Sequence, residues 1–223
     1  MKTKLVIFDF DGTLSKPSKR DNSWAKIWSL IDREEDDNRL YDMYLKGELD
    51  YDKWAEEVIK VYREEGVSTK TLKKVAKDTS LLDNTKDVFK YFYDNDIKII
   101  ILSGGIKNII EYVLKNNLKY VYKLEAQAFI FDENDIVQGV TKLDHFVEDK
   151  SQYVNRILTE LKLSPNEVVF FGNDRNDEDV YKTGVKTVCL NPHHARYEDK
   201  TIWNETILRT TDLKSILSFI NLN

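Results

Sequence analysis

Cysteine is almost missing from this chain. Cys189 is the single one among 223 residues, which excludes an internal disulfide framework and fits a reducing compartment. It lies in the apolar run Thr187-Val188-Cys189-Leu190, where a buried, inert thiol is expected. Long apolar runs are also missing: none approaches the roughly 20 residues needed to span a bilayer. No charged-then-apolar leader precedes the first predicted strand, so a cytoplasmic protein is the expectation. Neither sign of charge is in large excess. With 34 Lys and Arg against 39 Asp and Glu, the net charge is −5 and the signs are interleaved. Neither nucleic acid nor an anionic membrane is favoured as a partner by that balance. Internal repeats, low-complexity tracts and long linkers are absent too. The remainder is ordinary globular material, 41% hydrophobic and 33% charged, enough for one or two domains with a proper core.

The chain is organised around its first stretch, Lys4-Leu5-Val6-Ile7-Phe8-Asp9-Phe10-Asp11-Gly12-Thr13-Leu14-Ser15. Leu5 to Phe8 read as a short apolar strand, and Gly12 permits a sharp bend. If strand geometry persists to Asp11, period-2 alternation puts the Asp9 and Asp11 carboxylates on one side. Two like charges that close need a cation, a shared proton or both. Mg²⁺ is the natural cation, since it takes oxygen ligands and commonly accompanies phosphate. The plain alternative is a strand that happens to turn through Asp-Gly.

Helical spacing governs the next seventy-odd positions. Ser23 can cap a helix with Trp24, Ile27, Trp28 and Ile31 on its apolar side. Leu40, Tyr41, Tyr44 and Leu45 mark a second helix, stopped by Gly47. Trp54, Val58, Val61 and Tyr62 mark a third, and Leu72, Val75 and Ala76 a fourth. This all-helical insertion reads as a small second domain over residues 16–85, leaving 1–15 and 86–223 as the core. Strand and helix then alternate. A helix starts at Thr85, and Ile97 to Leu102 form a buried strand broken by Ser103-Gly104-Gly105. A further helix, a hairpin over 128–140 and a helix opened by Lys150 follow. Val168 to Phe171 and Val185 to Leu190 are two more strands, before a terminal helix over Leu213 to Ile220. That order predicts an α/β fold, a doubly wound parallel sheet with an inserted helical cap.

Ligands in such sheets bind beyond the carboxyl ends of the strands. Polar residues gather at three such ends: Asp9 and Asp11; Ser103 and Gly104; and Gly172-Asn173-Asp174-Arg175-Asn176-Asp177. Lys150 adds a fourth contributor. Singly, Ser103-Gly104-Gly105 could be a turn, Lys150 a solvated surface charge, and the acidic stretch a polar helix start favoured by the dipole. Their joint order argues against coincidence.

On these residues the chain resembles the haloacid dehalogenase-like hydrolase superfamily, nearest its phosphoserine-phosphatase-like branch. The resemblance runs through Asp9-Phe10-Asp11-Gly12-Thr13, the helical cap, Ser103-Gly104-Gly105, Lys150, Gly172 to Asp177 and Leu190-Asn191-Pro192. It implies a phosphatase for a small phosphomonoester. Asp9 would be the nucleophile that becomes an aspartyl-phosphate, and Asp11 the general acid and then base. Gly12, Thr13, Ser103 and Gly104 would hold phosphoryl oxygens, with Lys150 offsetting charge. Mg²⁺ would sit on Asp9, Asp11 through its carbonyl, and acceptors from Asn173, Asp174 and Asp177.

Two departures stand out. The resemblance expects an aspartate directly after glycine where this chain has Asn173, which removes a negative charge and leaves Asn173 or Asp174 to complete the metal site. At the positions where phosphoserine enzymes grip the substrate's amino and carboxyl groups this chain has Ser18 and Val58, so phosphoserine is not the expected substrate. Phosphotransfer or mutase chemistry on the same aspartyl-phosphate, and a weakly catalytic phospho-ligand-binding module, are the competing readings. The cap tryptophans Trp24, Trp28 and Trp54 read as cap core, with an aromatic wall for the leaving group as the alternative. His193-His194 invites a metal reading, but after Pro192 an exposed loop is the expectation.

Overall fold

A computed structural model of the chain describes residues 1–18, 22–141, 143 and 150–222. At its centre is β1 (Leu5–Phe8), with all four residues buried. Successive side chains point to opposite faces. Leu5 and Ile7 therefore pack with Tyr153, Val154 and Ile157, while Val6 and Phe8 pack with Phe89, Phe92 and Ile99. A strand buried on both faces must be apolar throughout, which explains the uninterrupted run.

The sheet has six strands in the order β3-β2-β1-β6-β7-β8, every pair parallel. These are β2 (Lys98–Ile106), β3 (Lys123–Gln127), β6 (Val168–Gly172), β7 (Lys186–Leu190) and β8 (Glu205–Ile207). Two short strands outside the sheet, β4 (Phe129–Phe131) and β5 (Val137–Val140), form the expected hairpin. The chain builds outward from β1 through β2 to β3, then crosses back to β6. That reversal makes the crevice between β1 and β6 a topological switch point. Register sets Phe8, the last residue of β1, opposite both Ile101 of β2 and Phe171 of β6.

Of the five helices between β1 and β2 among the described residues, the first four form the insertion: α1 (Ser23–Leu30), α2 (Glu34–Leu45), α3 (Tyr51–Glu64) and α4 (Thr69–Lys77). The two segments at the insertion's base run antiparallel, Lys16 N donating to Ser80 O at 2.8 Å and Leu82 N to Leu14 O at 2.9 Å. The hairpin leans on the same insertion, Val137 N donating to Val67 O at 2.9 Å. The insertion's apolar side chains merge with one face of the sheet into a single core. Trp24 packs edge-on to Trp54 and Phe129 at 5.3 Å each, and Trp28 edge-on to Tyr62 at 4.6 Å. The remaining helices are α5 (Thr85–Asp94), α6 (Lys107–Leu114) and α7 (Lys150–Leu161).

Four details differ from the reading of the sequence. The strands β3 and β8 carry too few apolar residues to be seen, because both sit at edges of the sheet and are only partly buried. Ser103-Gly104-Gly105 does not end β2; it forms an irregularity in the pairing with β3, and the strand continues to Ile106. The terminal helix is a 3-10 segment, Leu213–Phe219. Finally, Asn22 rather than Ser23 caps α1, its side chain accepting from Ala25 N at 2.7 Å. Ser23 is used elsewhere. Cys189 is fully buried in β7, and burial pushes its thiol up to about 12, as an inert sulfur requires.

Candidate active site

Strand β1 ends at Phe8, so Asp9 and Asp11 are brought together by a turn rather than by continued strand alternation. Gly12 makes that turn with φ +76°, in the left-handed region that L side chains avoid. A Cβ there would also stand 2.3 Å from Asn173 Nδ2. The first loop is thus pressed against the loop that follows β6.

Asp9 is buried, and its Oδ1 accepts from Lys150 Nζ at 2.7 Å. The same ammonium donates to Asp177 Oδ1 at 2.5 Å. All three side chains are almost completely out of solvent, at 7%, 1% and 0% exposure. Lys150 is the first residue of α7, where the helix dipole disfavours a cation, so the two carboxylates hold it there against both dipole and desolvation. Burial works against the ammonium, yet Asp177 and Asp9 together hold it above the ordinary lysine value. Burial is also the chief influence on Asp9, and with Asp177 and Asp11 nearby it raises the carboxyl to about 7 in spite of Lys150.

The other Asp177 oxygen, Oδ2, accepts from Asn173 N at 2.8 Å and Asp174 N at 3.1 Å, locking the loop after β6. Asn173 in turn accepts from the Thr13 hydroxyl at 3.1 Å through its Oδ1. Ser103 is buried within β2, where the pairing with β3 is irregular, its Oγ accepting from Gly105 N at 3.1 Å.

Asp11 is held from the opposite side. Its Oδ2 accepts from both Ser23 N at 3.1 Å and Ser23 Oγ at 3.0 Å, and Ser23 Oγ accepts from Ile106 N at 3.0 Å. The start of α1 therefore joins the acid to the end of β2. Gly105 is required beside it, because a Cβ would come within 2.6 Å of Asp11 Oδ2 and 2.8 Å of Ser23 Oγ. One residue on, Trp24 Nε1 donates to Gly104 O at 3.0 Å. Burial raises the Asp11 carboxyl above its usual range, with the two Ser23 bonds working the other way.

Of the predicted residues, Asp9, Asp177, Lys150, Asn173 and Thr13 form one hydrogen-bonded chain, with Gly12 packed against it. Asp11, Ser103 and Gly104 are instead bonded to Ser23, Gly105 and Trp24 respectively. Asp174 is turned away: its Oδ2 lies 3.2 Å from His193 Nδ1 and 3.5 Å from His194 Nδ1. Ser23 is the residue that sequence reasoning missed. Its position at the head of the first cap helix was taken up by a capping role, and no local signal distinguishes that from a bond to Asp11.

The donor set suits a hard divalent cation. Asp9 and Asp177 share the Lys150 ammonium, Asn173 adds an amide oxygen, and Asp11 Oδ1 is buried with no hydrogen-bond partner among the described residues. Oxygen donors with uncompensated negative charge are what Mg²⁺ takes.

This geometry can be set beside known proteins. Residues 3–180 match the family model described as haloacid dehalogenase-like hydrolase. The chain belongs to that family. Among curated relatives of this haloacid dehalogenase-like hydrolase is a phosphoserine phosphatase of Campylobacter jejuni subsp. doylei, 24% identical over 186 residues, covering 82% of this chain and 85% of that one. A 7-methylguanosine phosphate-specific 5'-nucleotidase A of Xenopus laevis is 26% identical over 161 residues, 60% of this chain, and the match spans only 54% of that protein. In three dimensions the hydrolase has the fold of a phosphoserine phosphatase solved as a phospho-aspartyl intermediate analogue, with a TM-score of 0.76 at 17% identity, covering 99% of this chain and 100% of the other. A HAD family hydrolase from Salmonella enterica serovar Typhi superposes with a TM-score of 0.79 at 13% identity, over 98% of this chain and 72% of that one. Among the described residues no helix is long and apolar enough to cross a membrane.

Proposed function

We propose that this hydrolase is a Mg²⁺-dependent phosphatase for a small phosphomonoester, acting through an aspartyl-phosphate on Asp9. The observation that carries the reading is the buried Lys150 ammonium bridging Asp9 and Asp177 at the switch point, with the second carboxylate, Asp11, held apart by Ser23. The family match and the two phosphatase and nucleotidase relatives support it.

In the first half-reaction an Asp9 oxygen bonds to phosphorus while the bond from phosphorus to the leaving oxygen breaks. Asp11, whose carboxyl burial shifts toward the protonated form, gives its proton to that leaving oxygen. In the second half, the Asp11 carboxylate takes a proton from a water whose oxygen bonds to phosphorus. The bond to Asp9 breaks, releasing inorganic phosphate and restoring both carboxyl groups. Lys150 offsets the charge that gathers on Asp9 and the phosphoryl oxygens, and Thr13, Ser103 and the Gly12 and Gly104 backbone border those oxygens. Mg²⁺, held by Asp9, Asp177, Asn173 and the Asp11 carbonyl, would supply the positive charge that keeps Asp9 ionised at neutral pH. Asp174, paired with histidines, is outside this set.

Residues 16–85 act as the cap and 1–15 with 86–223 as the core. The substrate is not phosphoserine, since Val58 is wholly buried and apolar where a carboxylate-pairing residue would be needed. Hydrolysis of p-nitrophenyl phosphate with Mg²⁺ tests the reading. The wild type should turn over and Asp9→Asn should lose at least about a thousandfold. Full activity in Asp9→Asn would remove the nucleophile assignment.

A further inference from the structure

We infer that Asp174, His193 and His194 form a second metal site, selective for a borderline transition-metal dication such as Zn²⁺ and separate from the Mg²⁺ site. None of the proposed chemistry uses these three side chains. They come from the loops after β6 and β7, neighbouring strands whose ends lie together. Their ligand atoms all fall within 4.8 Å of one another.

The spacing is that of a coordination sphere. Ligands about 2.0–2.2 Å from a tetrahedral ion stand roughly 3.3–3.6 Å apart. Asp174 Oδ2 lies 3.2 Å from His193 Nδ1 and 3.5 Å from His194 Nδ1. A cation bound by all three would satisfy two imidazole lone pairs and a carboxylate oxygen together. The imidazole rings already sit 3.8 Å apart.

The two loops are held in this arrangement without the metal. His193 N donates to Asn173 O at 2.9 Å, and Arg175 Nε to His194 O at 3.2 Å. Arg196 N and Nε both donate to Glu178, at 2.6 and 2.8 Å. A preformed site of this kind spends little ordering entropy on binding. Two imidazoles and one carboxylate favour zinc, nickel or copper, whereas Mg²⁺ prefers an all-oxygen set, so the two sites differ in the metal they select. An ion here would tie the loop carrying Asn173 and Asp177 to the loop after β7, a clip under the floor of the candidate active site. The ligands are half-exposed, so water completes the sphere.

Calorimetric titration with Zn²⁺, in a millimolar excess of Mg²⁺, tests the assignment. The wild type should bind one Zn²⁺ per chain with micromolar affinity. His193→Ala, His194→Ala and Asp174→Asn should each weaken it by at least the roughly 10–100-fold that even an outer-shell partner is worth. His145→Ala, at the chain's third histidine, should leave it unchanged. A wild type that binds no Zn²⁺, or a His193→Ala/His194→Ala double variant that binds it equally well, overturns the inference. Imidazole ¹⁵N spectra of the unsubstituted chain give a second readout that needs no variant to fold. At one equivalent of Zn²⁺ the resonances of His193 and His194 should move together, and movement of His145 alone, or of none, would refute the site.

Discussion

Asp9 and Asp11 are two residues apart in sequence, yet different halves of the molecule hold them. Asp9 is fixed from the core by Lys150 of α7, which Asp177 holds in turn, all three buried. Asp11 is fixed from the helical insertion by Ser23, whose hydroxyl also accepts from Ile106 at the end of β2. The first half is built from core strands and a core helix. The second half exists only while α1 sits on the end of β2. One carboxylate is therefore a property of the core and the other a property of the cap's position.

The sharpest way to break the comparison is to remove the core-side cation. Lys150→Met leaves Asp9 and Asp177 buried and facing each other, a change of the kind that costs about 3–5 kcal/mol. Urea unfolding should show that loss, and p-nitrophenyl phosphate turnover should fall by about a hundredfold to a thousandfold. A variant of unchanged stability would mean the core half is held by something else. Ser23→Ala attacks the cap half and should do less, because the Ser23 amide still reaches Asp11. About 1 kcal/mol of stability and a roughly tenfold fall in kcat are expected. The lost hydroxyl favoured the ionised acid, so the basic limb of the pH–rate profile should move to higher pH. Movement toward lower pH would contradict the role given to Ser23.

The core half also gives the metal-free protein a pH dependence. Asp9 has its carboxyl raised from an ordinary 3.8 to about 7. Between those values the folded state binds the extra proton, so its contribution to stability is full at low pH and is lost as pH rises through 7. Thermal melts without metal should show wild type losing stability relative to Asp9→Asn across that window, and Mg²⁺ should close the gap. A difference that grows toward acid would reverse the sign of the argument. Smallest of all, Asn173→Asp restores a negative charge beside Thr13 and should tighten Mg²⁺ binding by about threefold to tenfold, read by calorimetry. Unchanged or weaker affinity would mean that Asn173 is not a ligand.

Much of this was legible in the chain itself. The central strands advertise themselves because both of their faces are buried, as in Ile99-Ile100-Ile101-Leu102 and Val168-Val169-Phe170-Phe171. The strands that escaped reading are the edges, where Lys123, Glu125 and Glu205 can remain partly wetted. Asp9, Lys150 and Asp177 could be placed together because each stands at a strand or helix end that a doubly wound sheet gathers at one rim. Ser23 could not, since its bond to Asp11 depends on how the cap is laid down. The histidines were correctly read as exposed, at 42% and 63% of the side chain. Their closeness to Asp174 follows from β6 and β7 being neighbours, which strand order reveals and local sequence does not.

The claim on which the rest depends is that Asp9 itself takes the phosphoryl group. Acid quenching during turnover of a phosphomonoester, followed by borohydride reduction and peptide mass mapping, tests it directly. The account predicts homoserine at position 9 in the wild type and none in Asp9→Asn. Unmodified Asp9 during sustained turnover, or a label trapped on another residue, would contradict it.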